Sequence, residues 1–175
     1  MKQLTPLILL SFVVTFRALA ADLSLEDTKH LLERALKIKA AFDKGDADTI
    51  IEMTHPSIYA LTNGKEGFEK LTRGAMELVK SMGITIIESS LGTPTRTYVS
   101  GTVTVCFIPR ISVMSVQGKK VKSIGFLIAA RNRDNEKWLF LDGSGLRKNP
   151  TLLKSLFPGL PDDVKLPENR LEKIE

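Results

Sequence analysis

Cysteine is almost missing from this chain: Cys106 is the only one in 175 residues. No intrachain disulfide can form, so side-chain burial has to supply the stability that cross-links supply in many exported domains. Histidine is nearly as scarce. His30 and His55 lie far apart, and no H-x-x-x-H or C-x-x-C spacing occurs, which argues against a metal centre. There is no glycine-rich phosphate loop, and Gly143-Ser144-Gly145 lacks the G-x-S-x-G spacing of a nucleophile elbow. No cofactor is expected from such a set. A strong excess of one charge is missing too. Setting aside Lys2 and Arg17 leaves 23 basic residues against 20 acidic ones. That mild basic lean suits a solvated surface and gives no reason to expect a nucleic-acid partner.

Long apolar runs are confined to one place, Leu7 to Phe16. Lys2 precedes that run and Ala18-Leu19-Ala20 follows it, the three-part pattern of a secretory signal peptide over residues 1–20, cleaved after Ala20. A spanning helix needs about 20 apolar residues to cross a hydrocarbon core of about 30 Å. Arg17 closes this run well short of that. The expected product is periplasmic or secreted, with no stable membrane insertion after cleavage. No cysteine stands at the cleavage point, so a bacterial lipid anchor is not expected. The 155 residues that remain make a chain that buries about 70% of its unfolded surface, enough for one core.

Ser24-Leu25-Glu26-Asp27 reads as a capped helix start. Apolar residues then recur at Leu31, Ala35, Ile38 and Phe42, with Leu32 and Leu36 beside them, until Gly45 ends the helix. Asp46 caps a short second helix with Ile50, Ile51 and Met53, stopped by His55-Pro56. Ser57 to Leu61 reads as an extended piece leading to an Asn63-Gly64 turn. A third helix follows over about Gly67 to Met82, with Phe68, Leu71, Ala75, Leu78 and Val79 expected inside. From Ile84 the period changes to two. Strands are expected over Ile84–Ser90, Tyr98–Ile108 (Val99, Val103, Val105 and Phe107 on one face), Arg110–Val116 after a break at Pro109, Val121–Arg131 and Lys137–Leu141. Gln117-Gly118 and Asp134-Asn135 supply turns. The fold class is α+β, three N-terminal helices on an antiparallel sheet. The domain covers 22–146. Residues 147–175 form a tail with a short helix over Pro150–Phe157 and three prolines after it, expected to wrap the surface or fray.

The joint Ala41-Phe42-Asp43-Lys44-Gly45-Asp46-Ala47-Asp48, then His55-Pro56 and Asn63-Gly64, and the closing Lys137-Trp138-Leu139-Phe140-Leu141-Asp142-Gly143 resemble the superfamily of nuclear transport factor two, ketosteroid isomerase and the polyketide cyclases. The match covers Leu25 to Leu146. It implies a strongly curved sheet closed by the helices into a cone-shaped α+β barrel, with an open end where ligands sit. The superfamily hosts enzymes, carriers and dimerisation modules, so the fold alone leaves function open.

Asp142 can be a proton-abstracting base in an apolar cone, or a turn aspartate accepting backbone N–H bonds in the glycine-rich exit. His55 can be a general base, or a helix terminator before Pro56. Tyr59 completes the catalytic candidates. The related isomerases pair their base with a tyrosine and a protonated acid, and Tyr59, Tyr98 and Asp142 do not fall into that arrangement. Candidates for ligand binding are Tyr98, Arg110, Arg131 and Trp138, an inward arginine being able to clamp a carboxylate. His30 reads as surface, Cys106 as a small core residue, and Lys119, Lys120 and Lys122 as a soluble turn. The expected function is an exported, non-catalytic ligand-binding or accessory module, taking a small apolar ligand or a protein partner and dimeric through the sheet face of Ile111, Val113 and Val116. The alternative is a small isomerase, dehydratase or hydrolase acting in the cone. A third possibility is a protein partner engaged through the proline-rich tail.

Overall fold

The computed structural model describes residues 22–135 and 137–174; the expected signal peptide and its cleavage point at Ala20 lie outside them. Helix α1 spans Leu25–Lys44. Its first turn is capped by Ser24, whose Oγ accepts from the Asp27 N–H at 3.0 Å, and it ends at Gly45 with φ 68°, a conformation glycine adopts without steric cost. Leu31, Ala35, Ile38 and Ala41 form its buried stripe. Helix α2, Ala47–Glu52, starts on Asp46, which accepts from the Thr49 N–H at 3.1 Å.

The stretch expected to be extended is a 3-10 turn over Pro56–Leu61. Pro56 has no N–H to satisfy and a φ already suited to a helical start, while His55 Nδ1 accepts from the Ser57 N–H at 3.3 Å. Helix α3 spans Gly64–Ser81, and of its five expected inner residues Phe68 and Val79 turn inward while Leu71, Ala75 and Leu78 do not. Leu71 and Leu78 are about 60% exposed and Ala75 is exposed. Thr72 is buried instead, with Phe68, Met76 and Val79 partly buried. The reason is what α3 rests on. It packs against α2 and the 3-10 turn, and those neighbours select the Phe68-Thr72-Met76 row.

The strands are β1 Thr85–Leu91, β2 Tyr98–Ser100, β3 Val103–Val116, β4 Lys119–Asn132, β5 Leu139–Asp142 and β6 Arg170–Ile174. They form one open, wholly antiparallel sheet in the order β1-β3-β4-β5, with β2 also on β3 and β6 also on β4. Its spine is the β3–β4 hairpin, turned by Gln117 and Gly118 at φ 50° and 78°, the pair of positive values that matches strand twist. Two strand expectations change. Tyr98–Ile108 is not one strand, because Gly101 at φ 61° turns β2 back onto β3. Val99 therefore lies opposite Thr104, on the other face from Val105 and Phe107. Pro109 does not interrupt β3. Its carbonyl accepts from the Gly92 N–H at 2.8 Å, so its backbone faces the β1 side, in the gap between β2 and β1, and no β4 bond is lost.

Over the Val105–Ile108 and Phe126–Ala130 segments the sheet is buried on both faces. On one face α1 and α2 cover Cys106, Ile108, Leu127 and Ala129, joined by Trp138 and Phe140. On the other, Leu146, Leu153, Leu156, Phe157 and Leu160 cover Val105, Phe107, Phe126, Ile128 and Ala130. The C-terminal segment thus builds core, through a second 3-10 turn (Gly143–Arg147) and helix α4 (Leu152–Leu156). Burying each such side chain contributes about 1.5–3 kcal/mol. The charged end does not fray where it is described, because β6 pairs along Lys120–Ile124. Among the described residues no helix is long and apolar enough to cross a membrane.

Candidate functional site

Beside β5 the elements leave a cavity of about 260 Å³. A main-chain stitch holds that side open. Phe140 donates to the Met53 carbonyl at 2.8 Å and its own carbonyl accepts from His55 N–H at 3.0 Å, so the chain leaving α2 runs alongside β5. The walls are Ile38 and Phe42 of α1, Ile50 of α2, Ile58 and Leu61 of the 3-10 turn, and Phe68, Thr72, Ala75 and Met76 of α3. Phe140, Leu141 and Asp142 close one side and Leu146, Leu152 and Leu156 another. Thr54, also in the wall, spends its hydroxyl on the Ile50 carbonyl at 2.7 Å.

Asp142 is the one ionisable residue in this wall. Its Oδ1 accepts from the Ser144 N–H at 2.8 Å, capping the second 3-10 turn, and its Oδ2 accepts from Arg110 Nη2 at 3.3 Å. The Arg110 guanidinium lies 5.2 Å from the Phe42 ring centroid, within cation–π range. Next to this pair Arg147 donates to Asn169 Oδ1 at 3.0 Å and to Ser123 Oγ at 3.5 Å. Asn169 in turn donates to the Gly143 carbonyl at 2.8 Å. Gly143 has to be glycine here, since a Cβ would stand 2.5 Å from the Phe126 ring.

The other candidates do not meet in this cavity. His55 is buried against Phe157, ring centroids 5.4 Å apart, and its Nε2 has no partner among the described residues. Burial pushes its pKa down to about 4, so the ring is neutral at physiological pH. Tyr59 leans on Phe68 at 5.8 Å outside the wall. Tyr98 is buried on Phe107, its hydroxyl accepting from Arg96 Nε at 3.3 Å. Arg131 and Trp138 belong together at the start of α1. Arg131 sits 4.6 Å from the indole centroid and pairs with Asp27 at 2.6 Å, a contact that holds the Asp27 carboxyl below its usual range. Trp138 is fully buried, its carbonyl accepting from Arg34 Nε at 2.8 Å. Burial pushes the Cys106 thiol up to about 12, so it stays protonated and is no nucleophile.

Sequence reasoning nominated Asp142 and Arg110 separately and did not anticipate that they pair. It passed over Phe42, Ile58, Met76 and Leu152 as wall residues. Apolar spacing marks a residue as inward but not whether it meets a neighbour or a gap. Comparison with known family models, with curated proteins and with solved structures finds no match to this chain.

Proposed function

We propose that this chain is an exported, non-catalytic module whose cavity beside β5 holds a small apolar molecule. The observation that carries this reading is the wall itself. It is almost wholly hydrocarbon, as ligand pockets are, and its single carboxylate, Asp142, caps the Ser144 N–H and pairs with Arg110. The export half of the reading is supported by residues 1–20. The order helix–Gly45-Asp46–helix, then helix, then antiparallel strands supports the nuclear transport factor two-like cone. A homodimer through the sheet is supported by Ile111, which is 41% exposed beside Val113.

The test is native mass spectrometry of the chain purified from its own host. A small molecule should travel with the folded protein and leave on denaturation, and the polypeptide should start at Ala21. A bare polypeptide in every folded charge state would contradict ligand binding; a chain starting at Met1 would contradict export. The isomerase or hydrolase reading is favoured by one fact, that Asp142 lies in the wall. If Asp142→Asn abolishes a measured turnover while the ligand still binds, that reading replaces ours.

A further inference from the structure

Two guanidinium groups, Arg110 and Arg147, lie near the cavity-wall carboxylate Asp142, and the strand register sets Arg110 and Asp142 on one face of the sheet. Arg110 lies opposite Gly125, Ser112 opposite Ser123, and Asp142 opposite Leu127, so all six share a face. Arg147 reaches that face through Ser123 Oγ, with the neutral Asn169 as its other hydrogen-bond partner among the described residues. Asp43 bonds Ser89 above the same face, since Ser89 lies opposite Ser112. Its charge is balanced by Lys39 at 2.7 Å. Counting these groups, the rim is left with one positive charge.

Gly125 is buried at that point. Gly125 puts no side chain between Arg110 and Asn169; a Cβ there would meet only Asn169 Oδ1, at 3.8 Å. Arg110 uses a single nitrogen, Nη2, in its hydrogen bonds among the described residues. Its remaining N–H groups are half-buried donors above Phe42, itself a cavity wall. A guanidinium offers its donors in a fixed fork that matches a carboxylate.

We propose that the cavity's ligand is a small carboxylic acid, with its hydrocarbon chain among Phe42, Ile38 and Met76 and its carboxylate on the N–H groups that Arg110 leaves free beside Phe42. This rests on the reading of the cavity as an apolar binding site and adds the head group. The volume of about 260 Å³ falls just under the range of about 300–1,000 Å³ for sites that hold drug-sized ligands. The chain is therefore short. Asp142 opposes the acid's charge and sets a limit on affinity, and its removal should tighten binding.

The experiment is calorimetric titration of the purified protein with octanoate, 1-octanol, octylammonium and acetate. Octanoate should bind at least about tenfold more tightly than octanol, the effect expected of a charge-assisted hydrogen bond, and acetate should not bind. Arg110→Gln should shrink the octanoate-to-octanol ratio while octanol affinity stays within about twofold. Asp142→Asn should raise octanoate affinity. Equal binding of octanoate and octanol overturns the head-group proposal and leaves the apolar cavity standing. Preference for octylammonium also overturns it, assigning the rim to Asp142. No binding by any of the eight-carbon probes overturns both.

Discussion

Arg110 on β3 and Asp142 on β5 meet at 3.3 Å although β4 runs between their strands. Gly125 lies opposite Arg110 on β4 and puts no side chain beside the pair. One ion pair thus ties the spine of the sheet to its short last strand and closes the polar end of the cavity.

Asp142 has two separable jobs, and substitution should divide them. Asn keeps an oxygen for the Ser144 N–H and loses the ion pair, so Asp142→Asn should cost less than about 1 kcal/mol, the range for partly exposed pairs. Asp142→Ala also removes the cap and should cost about 1–2 kcal/mol. Urea unfolding of the two variants reads the difference. Equal losses would show that the cap contributes nothing.

Two glycines of the site should answer differently to one methyl group. In Gly143→Ala the new Cβ stands 2.5 Å from the Phe126 ring and 2.7 Å from its carbonyl oxygen. Overpacking of that kind costs about 1–3 kcal/mol. Gly125→Ala meets only Asn169 Oδ1 at 3.8 Å and should change stability by no more than about 0.5 kcal/mol. Thermal unfolding of the two variants side by side settles the comparison.

His55 should make the fold acid-sensitive. Its folded pKa is pushed down to about 4 by burial, whereas in the unfolded chain it titrates near its ordinary value of about 6.5. Between those values the unfolded state binds the extra proton, so stability is full above about pH 6.5 and falls as pH drops toward 4. The loss is on the order of 2–3 kcal/mol. His55→Asn, which keeps an acceptor for the Ser57 N–H, should flatten that window. Urea midpoints at pH 7.5, 5.5 and 4.5 measure it, and an unchanged slope in the variant would place the sensitivity elsewhere.

Features set by local chemistry are legible in the amino-acid sequence. Ser24 and Asp46 as caps, Gly45 as a stop and Gln117-Gly118 as a hairpin turn each follow from the residue's own bonding and φ preference. The face of α3 is not legible there, because Leu71-Ala75-Leu78 and Phe68-Thr72-Met76 are adjacent rows and only distant partners choose between them. The tail misleads for a similar reason. Its prolines forbid long regular elements but do not stop Leu153, Leu156, Phe157 and Leu160 from covering a sheet face. Asp142 and Arg110 stand out as charges near strands. Their pairing depends on a register that period-two patterning does not number.

The central claim is that the gap beside β5 admits and holds an apolar molecule. Calorimetric titration with 1-octanol, a short neutral apolar chain, against the unmodified chain and against Ala75→Trp tests it most directly. Ala75 lies in the cavity wall and is exposed, so an indole there can fill the space from its mouth without disturbing the core. The account predicts saturable one-site binding that Ala75→Trp abolishes while the unfolding temperature holds. Binding of equal strength to both proteins would contradict it.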